Sequence, residues 1–170
     1  MELLKIIQFK NLKSEDVKRF EIRKAARAVV FDSNKNIGIL YVSKYGYHKL
    51  PGGGLEGQED IIEALKRECL EEIGCNVEPF GELGEIIEYR DKWLLEQHSY
   101  CYLANVVGNK GKPNFTLKEM DNGFKVKWVS VEAAIKLLEN DKPKHYEGEF
   151  VQMRDSSFLK EAKYLLNLNY

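Results

Sequence analysis

The chain has few of the residues from which disulfide frameworks, zinc sites and membrane spans are built. Its 170 residues include three cysteines, Cys69, Cys75 and Cys101, with no CxxC pair, and three scattered histidines without zinc-ligand spacing. An odd number of unpaired cysteines excludes a disulfide framework and indicates a reducing compartment. No segment approaches the ~18 apolar residues of a membrane span, and the N-terminus becomes charged too early for a signal peptide. We therefore expect a cytoplasmic protein with no membrane partner.

The chain also has no excess of positive charge. Lys and Arg number 26 and Asp and Glu number 27, for a formal net charge of -1. This balance does not indicate a nucleic-acid polymer as partner, so a small anionic substrate would be met by local groups or a metal. With 44% hydrophobic and 31% charged residues, the chain can bury a core and is not a disordered tail.

Strand-like and helix-like segments alternate along the chain. β-rich runs occur at Ala25–Phe31, Ile37–Val42, Gly84–Tyr89, Gln97–Val107 and Phe124–Val129. Helical signals occur at Asp60–Ile73, Val131–Glu139 and Phe158–Leu166. Strands and helices mixed in this way predict an α/β domain whose sheet is covered by helices. Residues 108–123 form a long irregular piece between two strands, and loops of that length inside a domain are often functional.

The segment from Asp60 to Ile73 carries helix signals at both ends. Asp60 and Glu63 have the spacing of a capping box, and Gly74 suits the left-handed position after the last helical residue. At about 100° per residue, one stripe of this helix is apolar and must face the core. That stripe consists of Ile62, Leu65, Cys69 and Ile73.

Three glutamates lie beside the apolar stripe. Glu72 is four residues and Glu71 three residues after Glu68, so the three share one face of the helix. Like charges at these spacings cost roughly a few tenths of a kcal/mol per pair, and a hard cation such as Mg²⁺ would offset that cost. Glutamates on a helix are more often a solvated surface. Here, however, a glycine-rich turn, residues 52–54, directly precedes the helix and lets the backbone approach a ligand closely.

The stretch from Gly53 to Cys75 resembles the signature of the Nudix hydrolase family, G-x5-E-x7-R-E-U-x-E-E-x-G-U. The fixed positions are all matched, by Gly53, Glu59, Arg67, Glu68, Glu71, Glu72 and Gly74. Cys69 and Cys75 take the apolar places, where free cysteine packs as a small hydrophobe. The resemblance implies a Nudix-like α/β/α sandwich with a mixed central sheet over residues 23–170. Residues 1–22 are then an N-terminal extension or an added edge strand, and the chain is a monomer or a homodimer.

The resemblance also implies a role for each motif residue. The ligands of Mg²⁺ or Mn²⁺ would be Glu68, Glu71, Glu72 and the carbonyl of Gly52. Glu71, Glu72 and Arg67 would be catalytic, with Arg67 orienting the glutamates through charge-assisted hydrogen bonds. Glu59 would support these residues without binding the metal itself. The metal would bridge phosphate oxygens and lower the pKa of the attacking water. The implied reaction is hydrolysis of a nucleoside diphosphate linked to another group.

A further catalytic carboxylate in this family often comes from a loop outside the signature. The irregular piece offers Glu119 and Asp121, close ahead of the strand Phe124–Val129. We favour Glu119 as a catalytic residue, against the equally weighted interpretation that both are solvated loop acids.

The substrate must be predicted from residues outside the signature. The stretch Arg90–Trp93 lacks the proline or tyrosine that marks the subgroups acting on ADP-ribose and dinucleoside polyphosphates. By elimination the chain most resembles the MutT-type branch, which removes pyrophosphate from nucleoside triphosphates, including oxidised ones such as 8-oxo-dGTP. Tyr47 and Phe124 are candidates to stack on the base, although aromatics there more often belong to the core.

Two alternatives stay open at this point. One is a hydrolase of ADP-ribose, nucleotide sugars or dinucleoside polyphosphates. The other is a non-catalytic nucleotide-binding regulator, against which the intact set of Arg67, Glu68, Glu71 and Glu72 argues.

Overall fold

A computed structural model describes residues 1–168, which form a mixed sheet flanked by helices. The strands are β1 Leu3–Gln8, β2 Glu21–Phe31, β3 Ile37–Val42, β4 Tyr47–Lys49, β5 Asn76–Arg90, β6 Leu95–Val107 and β7 Phe124–Val129. The helices are α1 Ser14–Val17, α2 Ile61–Ile73, α3 Leu117–Asp121, α4 Val131–Asn140 and α5 Tyr146–Leu168, with a 3₁₀ turn at Asp91–Trp93. None of the helices in this described part is long and apolar enough to cross a membrane.

The sheet has the strand order β1-β5-β6-β2-β3-β4, and β7 also pairs with β3. The pairs β1–β5 and β2–β6 are parallel, whereas β2–β3, β3–β4, β3–β7 and β5–β6 are antiparallel. Such a mixed sheet covered by helices confirms the predicted α/β sandwich.

The two faces of β2 explain the layering, because successive side chains of a strand point to opposite faces. Ala26, Ala28 and Val30 lie in one core cluster with the buried side of α2. Val29 and Phe31 lie in a second cluster with α4 and α5. The strand is therefore buried on both faces, with α2 on one side and α4 and α5 on the other.

Several elements extend beyond their predicted bounds. The strand predicted at Gly84–Tyr89 begins at Asn76, because β-bulges between Pro79 and Gly81 and between Glu82 and Gly84 carry the pairing through residues that usually end strands. The helix predicted at Phe158–Leu166 begins at Tyr146. The prediction that residues 108–123 are irregular throughout is wrong, since α3 forms inside them.

The first 22 residues contain β1 and α1. Strand β1 lies at the edge of the sheet, parallel to β5, with Ile7 buried in the core. The boundary at residue 23 stays a prediction.

The folded chain holds His98 of β6 between two carboxylates. Its Nδ1 lies 2.6 Å from Glu85 and its Nε2 lies 2.8 Å from Glu96. Burial alone would lower the pKa of His98, but the hydrogen bonds to Glu85 and Glu96 outweigh it and raise the pKa. A pKa raised above the unfolded value of about 6.5 adds stability that is fully present below that pH and is lost as the pH rises through the folded pKa.

We therefore expect His98→Gln to destabilise the protein most at about pH 5.5, with the difference shrinking toward about pH 8.5. Urea unfolding at several pH values measures the free energy of unfolding of both proteins. His145→Gln is the matched control, because that ring stacks on Tyr45 and makes no carboxylate pair among residues 1–168. A difference between His98→Gln and wild type that does not change with pH would contradict the charged pair.

Candidate active site

The glycine-rich turn lies directly against β2. The Ala26 N–H donates to the Gly53 carbonyl at 3.0 Å, and the Ala28 N–H donates to the Pro51 carbonyl at 3.1 Å. Gly52 has φ +137°, and a Cβ there would overlap the Ala26 carbonyl oxygen and lie 2.9 Å from the Cα of Arg27. Only glycine allows this close approach of two backbones.

Helix α2 presents its acidic face to that turn. Asp60 accepts hydrogen bonds from the backbone N–H groups of Ile62 and Glu63, and the Glu63 carboxylate accepts from the Asp60 N–H, which confirms the capping box. Leu65, Cys69 and Ile73 are buried as predicted, whereas Ile62 is only half-buried. This orientation of α2 buries the Glu68 and Glu72 side chains at the turn and leaves Glu71 more exposed.

Glu72 joins the helix to the turn. It is 2% exposed, its Oε2 accepts from the Gly52 N–H at 2.8 Å, and its Oε1 lies 2.6 Å from Lys49 Nζ. Burial raises the pKa of the Glu72 carboxyl, with Lys49 acting in the opposite direction. The same Lys49 ammonium donates to the Gly52 carbonyl at 3.2 Å. The Lys49 ammonium therefore lies between the Glu72 carboxylate and the Gly52 carbonyl. These are two of the four metal ligands that the resemblance implies.

Arg67 gathers the remaining acids of the motif. It bonds Glu59 through Nε at 3.1 Å and Nη2 at 2.7 Å, and its Nη1 lies 2.9 Å from Glu68 and 3.3 Å from Glu71. The hydrogen bond to Glu59 is the largest cause that raises the pKa of Arg67, and the same bond lowers the pKa of Glu59. Arg67 and Lys49 thus compensate the like charges on the helix, so the glutamates do not stack as an unpaired row.

The donor set fits a hard divalent cation. The available groups are carboxylate and carbonyl oxygens, which Mg²⁺ and Mn²⁺ prefer, and the Lys49 ammonium marks the place of a positive charge between two of them. Gly53 lets the Glu68 carboxylate lie against the turn, since a Cβ there would be 2.5 Å from its carboxylate carbon. Within residues 1–168 no three acidic, imidazole or thiol groups already form a metal cage, because Glu68 and Glu71 face Arg67 and Glu72 faces Lys49.

A pocket of about 460 Å³ opens beside the turn. Gly52, Gly53, Glu68 and Glu72 line it, and so does Glu119 of α3. The Glu119 carboxylate accepts from the N–H of Thr116 at 2.7 Å and from its hydroxyl at 2.9 Å, so it caps α3 here. Asp121 pairs with Lys44 away from this lining. A catalytic role for Glu119 stays a prediction, as do the roles of the motif residues.

Aromatic side chains also line the pocket, and we call this group the aromatic wall. Tyr47 and Phe124 both line it, as predicted for candidates to stack on a base, together with Tyr45 and His145. The rings of Tyr45 and His145 stack on each other, with centroids 4.0 Å apart and 9° between their planes. His48 is turned away from this wall and bonds Asp141.

Many polar residues of the pocket were missed in the sequence, and five of them lie on long elements: Arg23, Arg27, Arg90, Gln97 and Arg154. Four of them lie in strands and one lies in α5. A polar residue at a buried position weakens the periodic pattern of apolar residues from which strands and helices are predicted. The two-residue spacing of Arg23, Ala25 and Arg27 was the available signal, because it places both arginines on the same face of β2.

Comparison with known proteins agrees with this geometry. The NUDIX domain model matches residues 21–148. Diphosphoinositol polyphosphate phosphohydrolase 2 of Homo sapiens is 29% identical over 149 residues, covering 84% of this chain and 77% of that protein. Diphosphoinositol polyphosphate phosphohydrolase 3-beta of Homo sapiens is 31% identical over 133 residues, covering 74% of each. A NUDIX hydrolase from Nitrosomonas europaea superposes with a TM-score of 0.64 at 17% identity, covering 85% of this chain and 90% of that one. The MutT protein of Methanosarcina mazei Go1 superposes with a TM-score of 0.54 at 20% identity, covering 85% and 97%.

The fold and the acidic helix beside a glycine turn define a hydrolase of phosphoanhydride bonds. The chain belongs to the Nudix family.

Proposed function

We propose that this Nudix hydrolase is a pyrophosphatase of nucleoside triphosphates, dependent on Mg²⁺ or Mn²⁺, that releases nucleoside monophosphate and pyrophosphate. The observation that carries the proposal is that one pocket is lined both by the Gly52–Glu68–Glu72 site and by the aromatic side chains of Tyr47 and Phe124. A nucleotide needs both, because its phosphates bind to charged groups and its base stacks on aromatic faces. The presence of Tyr47 and Phe124 in the aromatic wall supports their proposed contact with the base.

Each residue of the site has a distinct part in this proposal. The bound divalent cation would neutralise charge on the phosphates and lower the pKa of the attacking water. Arg67 keeps Glu59, Glu68 and Glu71 in one place, so that the substrate meets carboxylates that are already positioned. Glu119 lines the same pocket and would orient or deprotonate the water after releasing Thr116.

The position of bond cleavage tests the proposal. Because the Glu68 and Glu72 site would grip the middle of the phosphate chain, we expect monophosphate and pyrophosphate as first products. Hydrolysis of a panel of nucleoside triphosphates with Mg²⁺ in ¹⁸O-labelled water, followed by chromatography and mass spectrometry, identifies both products and shows which one carries the label. First release of nucleoside diphosphate and inorganic phosphate would contradict the proposal.

A second candidate substrate is a cyclitol that carries a diphosphate and several phosphates. Two observations favour it. The relatives at 29–31% identity are diphosphoinositol polyphosphate phosphohydrolases, and Arg23, Arg27 and Lys118 line the pocket. Such a substrate has no base, so truncating Phe124 to leucine would leave its turnover unchanged while weakening nucleotide turnover. A diphosphoinositol polyphosphate and ADP-ribose therefore belong in the same panel, and turnover of either far above every triphosphate would replace the proposed substrate.

A further inference from the structure

Three polar side chains form the bottom of the pocket, which we call the pocket floor. They are Arg27 of β2, Arg90 of β5 and Gln97 of β6, at 6%, 2% and 1% exposure. Each has a polar atom without a hydrogen-bond partner among residues 1–168: Nε of Arg27, Nε of Arg90 and Oε1 of Gln97. Buried polar atoms are nearly always paired, so three unpaired ones in one place require an explanation.

Arg27 is the arginine of the pocket floor that makes no direct ion pair within residues 1–168, although the charges of Asp155, Glu72 and Glu88 act on it from a greater distance. Arg154 bonds Asp155 at 2.7 Å and Glu88 at 3.4 Å. Arg90 bonds Glu88 at 3.2 Å and Glu147 at 3.1 Å. Arg27 makes no ion pair with any carboxylate of the described chain, and its Nη1 donates only to the Ala26 carbonyl at 2.8 Å.

An unpaired buried guanidinium is costly to the fold. Burial, followed by the nearby charge of Arg154, lowers the pKa of Arg27 to about 10, so the group is still charged at neutral pH. An anion that entered the pocket would therefore meet a buried positive charge that makes no direct ion pair with a carboxylate in the described part of the protein.

The pocket floor is adjacent to the glycine turn. Arg27 follows Ala26, whose N–H bonds Gly53, and the Cα of Arg27 is 2.9 Å from the point that a Cβ of Gly52 would occupy. Both residues line the same pocket, and the Arg27 guanidinium interacts electrostatically with Glu72, so a phosphate chain held at Gly52 can extend toward Arg27.

We propose that the pocket floor is a subsite for the terminal phosphoryl group of the substrate, one phosphoryl beyond the two that flank the cleaved bond. This inference rests on the proposed function for the identity of the substrate. A phosphoryl group brings the negative charge that Arg27 lacks and acceptors for the free N–H groups of Arg27 and Arg90. A half turn of the Gln97 amide gives its Nε2 to the phosphoryl and lets its Oε1 accept from the Ser99 hydroxyl, which lies 3.3 Å from the amide. A neutral base would leave the Arg27 guanidinium without an ion-pair partner.

The kinetic test compares a nucleoside triphosphate with the diphosphate of the same nucleoside. Arg27→Met is expected to lower kcat/KM for the triphosphate about 10- to 100-fold, mainly through KM, as expected for loss of hydrogen bonds to a charged group. Its kcat/KM for the diphosphate should stay within about threefold of wild type, and Arg27→Lys should restore part of the loss. Lys160→Met is the matched control, because Lys160 pairs with Glu139 on the surface, outside the pocket lining, and its loss should affect neither substrate.

A second measurement does not depend on the nucleotide. Inorganic phosphate is titrated calorimetrically into metal-free protein, and its Kd should rise at least about tenfold in Arg27→Met but not in Lys160→Met. The melting temperature of Arg27→Met should equal or exceed that of wild type, since an unpaired buried charge is removed. Unchanged phosphate affinity, or equal losses for triphosphate and diphosphate, would overturn the subsite. Arg27-dependent phosphate binding in a protein that hydrolyses no triphosphate would support the subsite and refute the proposed substrate.

Discussion

Replacing Glu72 with glutamine is expected to lower turnover on the order of 10²- to 10³-fold, the loss usual when one preorganised charged group is removed from an active site. The Glu72 carboxylate accepts a hydrogen bond from the Gly52 N–H and pairs with the Lys49 ammonium, which also bonds the Gly52 carbonyl. Glutamine keeps the shape and one acceptor oxygen but removes the negative charge that a divalent cation requires.

The melting temperature of the metal-free Glu72→Gln protein should equal or exceed that of wild type. Burial raises the pKa of Glu72 above its unfolded value despite the opposing effect of Lys49. A carboxyl whose folded pKa is raised costs stability at pH values above that pKa, and a neutral amide avoids this cost. The Gly52 N–H can still donate to the amide oxygen.

Metal binding separates this result from simple damage to the fold. Mg²⁺ should raise the melting temperature of wild type by mass action, by an amount that corresponds to about 2.7 kcal/mol at one hundred times Kd, and this rise should be lost in Glu72→Gln. Glu139→Gln makes the same chemical change on α4, where Glu139 pairs with Lys160 on the surface, and should leave activity and the Mg²⁺ effect unchanged. An active Glu72→Gln protein, or full activity in excess chelator, would refute the proposed metal site.

The parts of this protein that could be predicted are those with local signals. Both ends of helix α2 could be predicted because each end is set by neighbouring residues, the capping box of Asp60 and Glu63 at the start and Gly74 at the end. Strands β3 and β7 have their predicted bounds because each carries a local strand signal between turn-forming residues. Strand β3 is a short apolar run, and β7 alternates apolar residues with lysines. The acidic face of α2 followed from helical geometry alone.

The parts that could not be predicted depend on contacts between distant segments. The start of α5 was missed because Arg154 and Asp155 are buried charges that break its apolar period. Glu88, which pairs with Arg154, lies on another element. The pocket floor arises from strand register, which places Arg23 beside Gln97 and leads Arg27 to the same face. The position of Lys49 between Glu72 and Gly52 likewise requires β4 to pack at the end of α2.

Alanine substitutions at Gly53 and Gly52 of the turn should have different effects, the first on activity and the second on stability. Gly53→Ala is expected to reduce activity on the order of 10- to 100-fold, as for residues that support metal ligands, with a loss of stability below about 1 kcal/mol. The added Cβ would be 2.5 Å from the Glu68 carboxylate carbon and 2.8 Å from its Oε2. This group is the flexible end of a side chain, so it can move, but in moving it breaks the 2.9 Å bond to Arg67 and leaves the turn.

Gly52→Ala should instead damage the fold. Its φ of +137° is unfavourable for any residue with a Cβ, and the neighbours of that Cβ are backbone atoms of Ala26 and Arg27, which cannot rotate away. Backbone strain of this kind costs about 1–3 kcal/mol, which corresponds to roughly 2–12 °C in melting temperature for a chain of this size. Thermal unfolding of both variants, with turnover measured well below either transition, separates the two effects. The close approach of Glu68 to the turn would have no part in catalysis if Gly53→Ala kept full activity. The distinction between the two glycines would be wrong if Gly53→Ala unfolded at a lower temperature than Gly52→Ala.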